Sequence, residues 1–112
     1  MNKVELLVLG GGESGVGAAL LAKKLGLQVF VSDSKLLKPI YAKELQQAGI
    51  PFEEGQHTEA LFFGVKYVVK SPGIPSNIAL IARLKEQGAE VISEIEFASR
   101  HTTGKIVGIT GS

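Results

Sequence analysis

Gly10-Gly11-Gly12-Glu13-Ser14-Gly15 has the spacing G-x-G-x-x-G. Glycines at those places let a backbone turn tightly and approach a phosphate. Where a helix follows, its unpaired N–H groups and positive dipole end bind the anion. The same residues would also serve a tight turn with close helix–strand packing, although three glycines in a row exceed what turning requires. Asp33, the only aspartate in the chain, lies 33 − 10 = 23 positions after the first of these glycines. A carboxylate there reaches a ribose hydroxyl in dinucleotide folds; it could equally accept the N–H of a uracil ring, or act as an ordinary turn or cap residue. Ser34 and Lys35 stand beside it as donors. Ser71-Pro72-Gly73 combines a hydroxyl, a stiff ring and an open backbone. Such a loop either closes over a second phosphate or simply turns the chain.

Other polar residues carry weaker signals. Ser93 and Glu96 form an S-x-x-E capping box, and Glu94 suits a first helical turn, so an acid pair is not needed to explain them. His57 and His101 are far apart and lack clustered carboxylates, which speaks against a metal site. Lys66 and Lys70 flank an apolar run and are expected in water. No Ser/His/Asp set has a spacing suited to nucleophilic catalysis.

These loops need a scaffold with apolar strands ahead of them. Val4–Leu9, Val29-Phe30-Val31, Ile50-Pro51-Phe52, Tyr67-Val68-Val69 and Val91-Ile92 are short, branched runs of the kind buried on both faces of a parallel sheet. Helical spacing joins Val16, Leu20, Leu21 and Leu25; Ile40, Tyr41, Leu45 and Ala48; and Ile78, Ile81 and Leu84. Pro39 suits a first helical turn, while Gly26, Gly49 and Gly88 sit where caps belong. Thr58 is placed to cap a brief helix through Phe63, and Ser93 to cap one reaching about Arg100. Ile106-Val107-Gly108-Ile109 reads as a last strand. Strands alternating with helices predict a doubly wound, Rossmann-like α/β domain with a five-stranded parallel sheet in the order 3-2-1-4-5. Its switch point lies between strands one and four, where ligands bind outside the carboxyl ends.

Composition narrows the function. The chain has 112 residues, no cysteine and a net charge of +1. One domain of this size holds a core without disulfides. A thiolate metal site and a cysteine nucleophile are excluded, and the charge lacks the footprint of a nucleic-acid binder. No apolar run approaches a membrane span or a signal peptide, so a cytoplasmic protein is the expectation.

The order of motifs carries a resemblance. Gly10–Gly15, Asp33, Lys70-Ser71-Pro72-Gly73-Ile74, Ser93-Glu94-Ile95-Glu96-Phe97 and Val107-Gly108-Ile109-Thr110-Gly111-Ser112 together resemble the start of the Mur ligases, above all their D-glutamate-adding branch. The resemblance implies an amino-terminal domain that binds the UDP end of UDP-N-acetylmuramoyl-L-alanine in cell-wall peptidoglycan synthesis. It implies a central domain using ATP and magnesium and a last domain closing over D-glutamate, both missing here. Residues 1–93 would form the UDP domain, 94–104 a connecting helix or linker, and 105–112 the start of the ATP domain. Ser14 and Gly15 would face the pyrophosphate with Gly73 opposite, and Gly12, Glu13, Ser71 and Pro72 would complete the UDP-binding loops. Asp33, Ser34 and Lys35 would contact uracil. Thr110, Gly111 and Ser112 would begin an ATP loop that lacks its lysine, so a piece of this extent is expected to bind UDP, hold neither ATP nor metal, and catalyse nothing. Glu13 departs from the family pattern, and a carboxylate beside a pyrophosphate must point to water. The segment Lys105–Ser112 would belong to the missing sheet and stay out of this one. The rival readings are an NAD(P)-binding regulatory domain and a non-binding interaction module.

Overall fold

The computed structural model describes residues 4–71 and 79–107. Five strands, β1 (Leu6–Leu9), β2 (Val29–Asp33), β3 (Phe52–Glu54), β4 (Tyr67–Lys70) and β5 (Glu90–Ser93), form one sheet in the order β3-β2-β1-β4-β5. Every pairing is parallel, with Leu6 opposite both Val29 and Tyr67. The expected order is therefore the observed one. Among the described residues, four helices, α1 (Glu13–Lys24), α2 (Pro39–Ala48), α3 (Ala79–Glu86) and α4 (Glu94–Val107), connect or follow the strands, and a 3-10 turn spans Glu59–Phe62.

Alternation along each strand divides the core into two layers. Leu6, Val8, Val31, Val69 and Ile92 face one side and pack with Val16, Ala19 and Ala22 of α1, Leu45 of α2 and Phe97 of α4. Leu7, Leu9, Phe30 and Val68 face the other and pack with Phe62 and with Leu80, Ile81 and Leu84 of α3. All four β1 residues are fully buried, as expected of the central strand.

The local signals act largely as read. Pro39 begins α2, and Gly49 ends it in the left-handed region at φ 74°. Three details differ. Strand β3 begins after Pro51, which has no N–H to donate to the ladder, although the Pro51 carbonyl accepts from Val31. The Thr58 hydroxyl does not cap the turn that follows; it donates to Glu53 at 2.6 Å. Ile106 and Val107, expected in a strand, are the last two residues of α4. A strand there would need a partner edge, whereas a helix pairs its backbone groups within itself and overrides the β preference of two branched residues. Pro72, Gly73, Thr110, Gly111 and Ser112 lie outside the described residues, as does the rest of the expected last strand.

Candidate functional site

The carboxyl ends of β1 and β4 separate at the switch point. Gly10 N–H donates to the Ser32 carbonyl at 2.9 Å, on the β2 side, and Ser71 N–H donates to the Leu9 carbonyl at 3.1 Å, from the β4 side. Between them the chain turns at Gly10, with φ 109°, and α1 begins as Val16 N–H reaches the Gly12 carbonyl at 2.9 Å.

The glycines of this loop have different reasons to be glycine. A Cβ on Gly15 would stand 1.9 Å from the Gly10 carbonyl oxygen, so close packing of helix on strand excludes any side chain. A Cβ on Gly11 would strike the Leu37 side chain at 1.9 Å. Gly12 differs: its φ of −83° is open to any residue, and nothing lies within 4 Å of its Cβ position. Neither a positive φ nor a clash within the described residues requires glycine at Gly12, although an N-cap favours it over alanine, and the backbone there is left bare. Gly12 also occupies the N-cap of α1 without a side-chain hydrogen bond, which leaves the first-turn N–H groups directed at that space. Glu13 and Ser14 are both exposed.

Asp33 faces the same loop from the end of β2. Its Oδ2 accepts the Gly11 N–H at 2.8 Å and its Oδ1 accepts the Lys35 N–H at 2.9 Å. The residue is thus a turn former and a brace on the glycine loop, and each oxygen keeps a second lone pair for a ligand N–H or O–H. Gly11, Gly12, Asp33, Lys35, Leu37, Lys38 and Tyr41 are among the residues lining a cleft of about 170 Å³. Lys35 and Lys38 are exposed and oppose a single aspartate there, while the exposed Ser34 lies outside the lining.

Glu94 is the residue that sequence reasoning undervalued. It is 7% exposed, and the neighbouring hydroxyls of Ser14 and Ser71 favour its charged form. Oε2 is buried without a hydrogen-bond partner among the described residues. Burial pushes its pKa above the ordinary carboxylate range, outweighing the two serines and the charge of Lys70. Lys70 is thus half-buried and electrostatically engaged, not simply solvated. The capping reading is half realised: Glu96 N–H donates to Ser93 Oγ at 3.0 Å, while the Glu96 carboxylate takes Arg100 at 2.7 Å.

A second polar cluster lies under β2. The fully buried Ser32 hydroxyl is 3.0 Å from Glu53 Oε2 and 2.7 Å from His57 Nδ1. His57 therefore does have a carboxylate neighbour. Burial raises the Glu53 pKa, but the Thr58 N–H and hydroxyl, the Ser32 hydroxyl and the charge of His57 together bring it below the usual value.

Comparison with known proteins decides the family. The model of the Mur ligase MurD-like N-terminal domain matches residues 4–93. The chain belongs to the Mur ligases as a MurD-like N-terminal domain. Its sequence is 54% identical over 107 residues to a UDP-N-acetylmuramoylalanine–D-glutamate ligase of Bacteroides fragilis, covering 96% of this chain and 24% of that protein. The ligase of the same name from Porphyromonas gingivalis is 51% identical over 110 residues, covering 98% and 24%. The MurD-like domain thus spans about a quarter of the length of the curated relatives it matches. Among solved structures, a murein peptide ligase from Psychrobacter arcticus superposes with a TM-score of 0.77 at 28% identity, over 88% of this chain and 21% of that one. The TrkA-N domain of an Escherichia coli inner membrane protein shares the fold, with a TM-score of 0.58 at 15% identity over 88% of this chain and 82% of that one. Among the described residues, no helix is long and apolar enough to cross a membrane.

Proposed function

We propose that this MurD-like domain binds the UDP end of UDP-N-acetylmuramoyl-L-alanine, within a cytoplasmic ligase that adds D-glutamate to that substrate in peptidoglycan synthesis. The observation that carries the reading is the bare backbone at Gly12, where α1 starts and a Cβ would meet nothing within 4 Å. The pyrophosphate would lie over Gly12 and Ser14, with Gly15 fixing the loop beneath and Glu13 turned to water. The uracil would enter the cleft beside Asp33, Ser34 and Lys35, with a spare carboxylate lone pair accepting its ring N–H. The turn of Ser71, Pro72 and Gly73 would close the far side. Identity above 50% with ligases of that name supports this substrate over a dinucleotide.

Amide formation in this reading needs an activated carboxylate. ATP and magnesium supply that activation in the complete ligase, and we assign them to parts of the enzyme beyond this domain. Residues 1–93 then anchor substrate, 94–104 connect, and 105–112 lead toward the ATP domain. Titration calorimetry with UDP and with NADH tests the reading. Heat from UDP and none from NADH is expected. Binding of NADH with no response to UDP would replace it with an NAD(P)-binding regulatory domain.

A further inference from the structure

Glu94 follows β5 directly, and the parallel register that sets Ser93 beside Lys70 brings it against the turn after β4. Ser14 of α1 lines the same cleft as Glu94, and the hydroxyls of Ser14 and Ser71 both favour its charged form, so a single buried carboxyl stands beside both loops of the proposed site. The surrounding groups can be named. From α1 come Ser14, Gly17, Ala18 and Leu21, and from α4 Ile95 and Ala98. Lys70 on β4 is the charged group acting on it among the described residues.

A serine hydroxyl carries one proton. While Glu94 is ionised, Ser14 and Ser71 direct that proton at its carboxylate and turn lone pairs toward anything entering between the loops. A phosphate oxygen is also an acceptor, so it competes with Glu94 for the same protons. Protonation of Glu94 releases both hydroxyls to donate outward and removes a buried negative charge beside an incoming anion. We infer that Glu94 is a positioning residue acting through Ser14 and Ser71, and that its carboxyl takes up one proton from solvent when a diphosphate binds at the start of α1. The proton returns to solvent when the ligand leaves. This inference rests on the UDP reading above. The orphaned Oε2 and the burial of the group already make its charged form costly, so a modest further push suffices.

The test uses UDP-N-acetylglucosamine, a pyrophosphate diester whose own charge is constant across the range examined. Carbon-detected NMR follows the Glu94 carboxyl through a pH titration, with and without saturating ligand. Its midpoint should rise by about one unit or more on binding. Affinity should fall as pH rises above the midpoint of the free protein, by up to about tenfold per unit until the ligand-bound midpoint is reached. Glu94→Gln, a permanently uncharged isostere, should bind with no such slope and at least as tightly as wild type at pH 8. Binding with an unmoved midpoint, or a Gln variant that keeps the slope, would overturn the proton coupling alone. No binding by wild type at any pH would overturn the UDP reading and this inference together.

Discussion

The Asp33 carboxylate accepts a hydrogen bond from the Gly11 N–H at 2.8 Å, joining the end of β2 to the glycine loop across 22 positions of sequence. Its other oxygen holds the Lys35 N–H. One side chain therefore shapes both walls of the cleft before any ligand arrives. Asp33→Ala should cost about 1–2 kcal/mol of stability and speed hydrogen exchange at Gly11. It should also weaken UDP binding. Chemical denaturation and amide exchange measure the first two effects independently of ligand.

The contrast between two glycines separates folding from binding. Gly15→Ala drives a methyl against the Gly10 carbonyl and should destabilise the domain by about 1–3 kcal/mol or more. Gly12→Ala meets open space at an ordinary φ and should cost no more than about 1 kcal/mol, the preference of an N-cap for glycine over alanine. It should nevertheless lose UDP affinity, because the methyl occupies the phosphate's approach. Equal affinity in Gly12→Ala would remove the reason given for that glycine.

Two carboxylates should shape pH stability in opposite directions. The pKa of Glu94 is raised by burial, so the stability it permits is full at low pH and is lost as pH rises through the raised value. Glu94→Gln should therefore unfold at a higher temperature than wild type near neutral pH, with the advantage vanishing in acid.

Despite its burial, Glu53 titrates below the usual value because Thr58, Ser32 and His57 stabilise its charge. Its contribution is present above the ordinary carboxylate pKa and is lost as pH falls through the lowered one. Glu53→Gln should lose stability at neutral pH and converge on wild type in acid. Melting curves of both variants across pH 3 to 8 check the two signs.

Much of this architecture is legible in residue patterns. The strand runs, Pro39 and Gly49 specify the elements because their signals are local, and crossover handedness then leaves few sheet orders. The glycine loop and Asp33 are legible because a strand precedes each. Glu94 is not, since S-x-x-E describes it fully as a helix start. Its importance arises from the β4–β5 register, which places it between Ser14 and Ser71, residues 80 and 23 positions away. The His57–Ser32–Glu53 cluster is hidden for the same reason: β2 and β3 must pair before those groups meet. Ile106 and Val107 mislead because branched residues carry a β preference that matters only where a neighbouring strand exists.

The 112 residues alone should release no phosphate from ATP when given UDP-N-acetylmuramoyl-L-alanine, D-glutamate and magnesium. A coupled phosphate assay suffices, and substrate-dependent release above a no-protein control would refute the assignment of activation chemistry to other parts of the ligase.

The most direct measurement is amide chemical-shift mapping during titration with UDP-N-acetylmuramoyl-L-alanine. Saturable shifts should concentrate at Gly11–Gly15, at Asp33–Lys35 and at Ser71, with NADH producing none there. Shifts confined to α3 and the 3-10 turn, or a response to NADH alone, would contradict binding of the UDP end at the β1–β4 switch point.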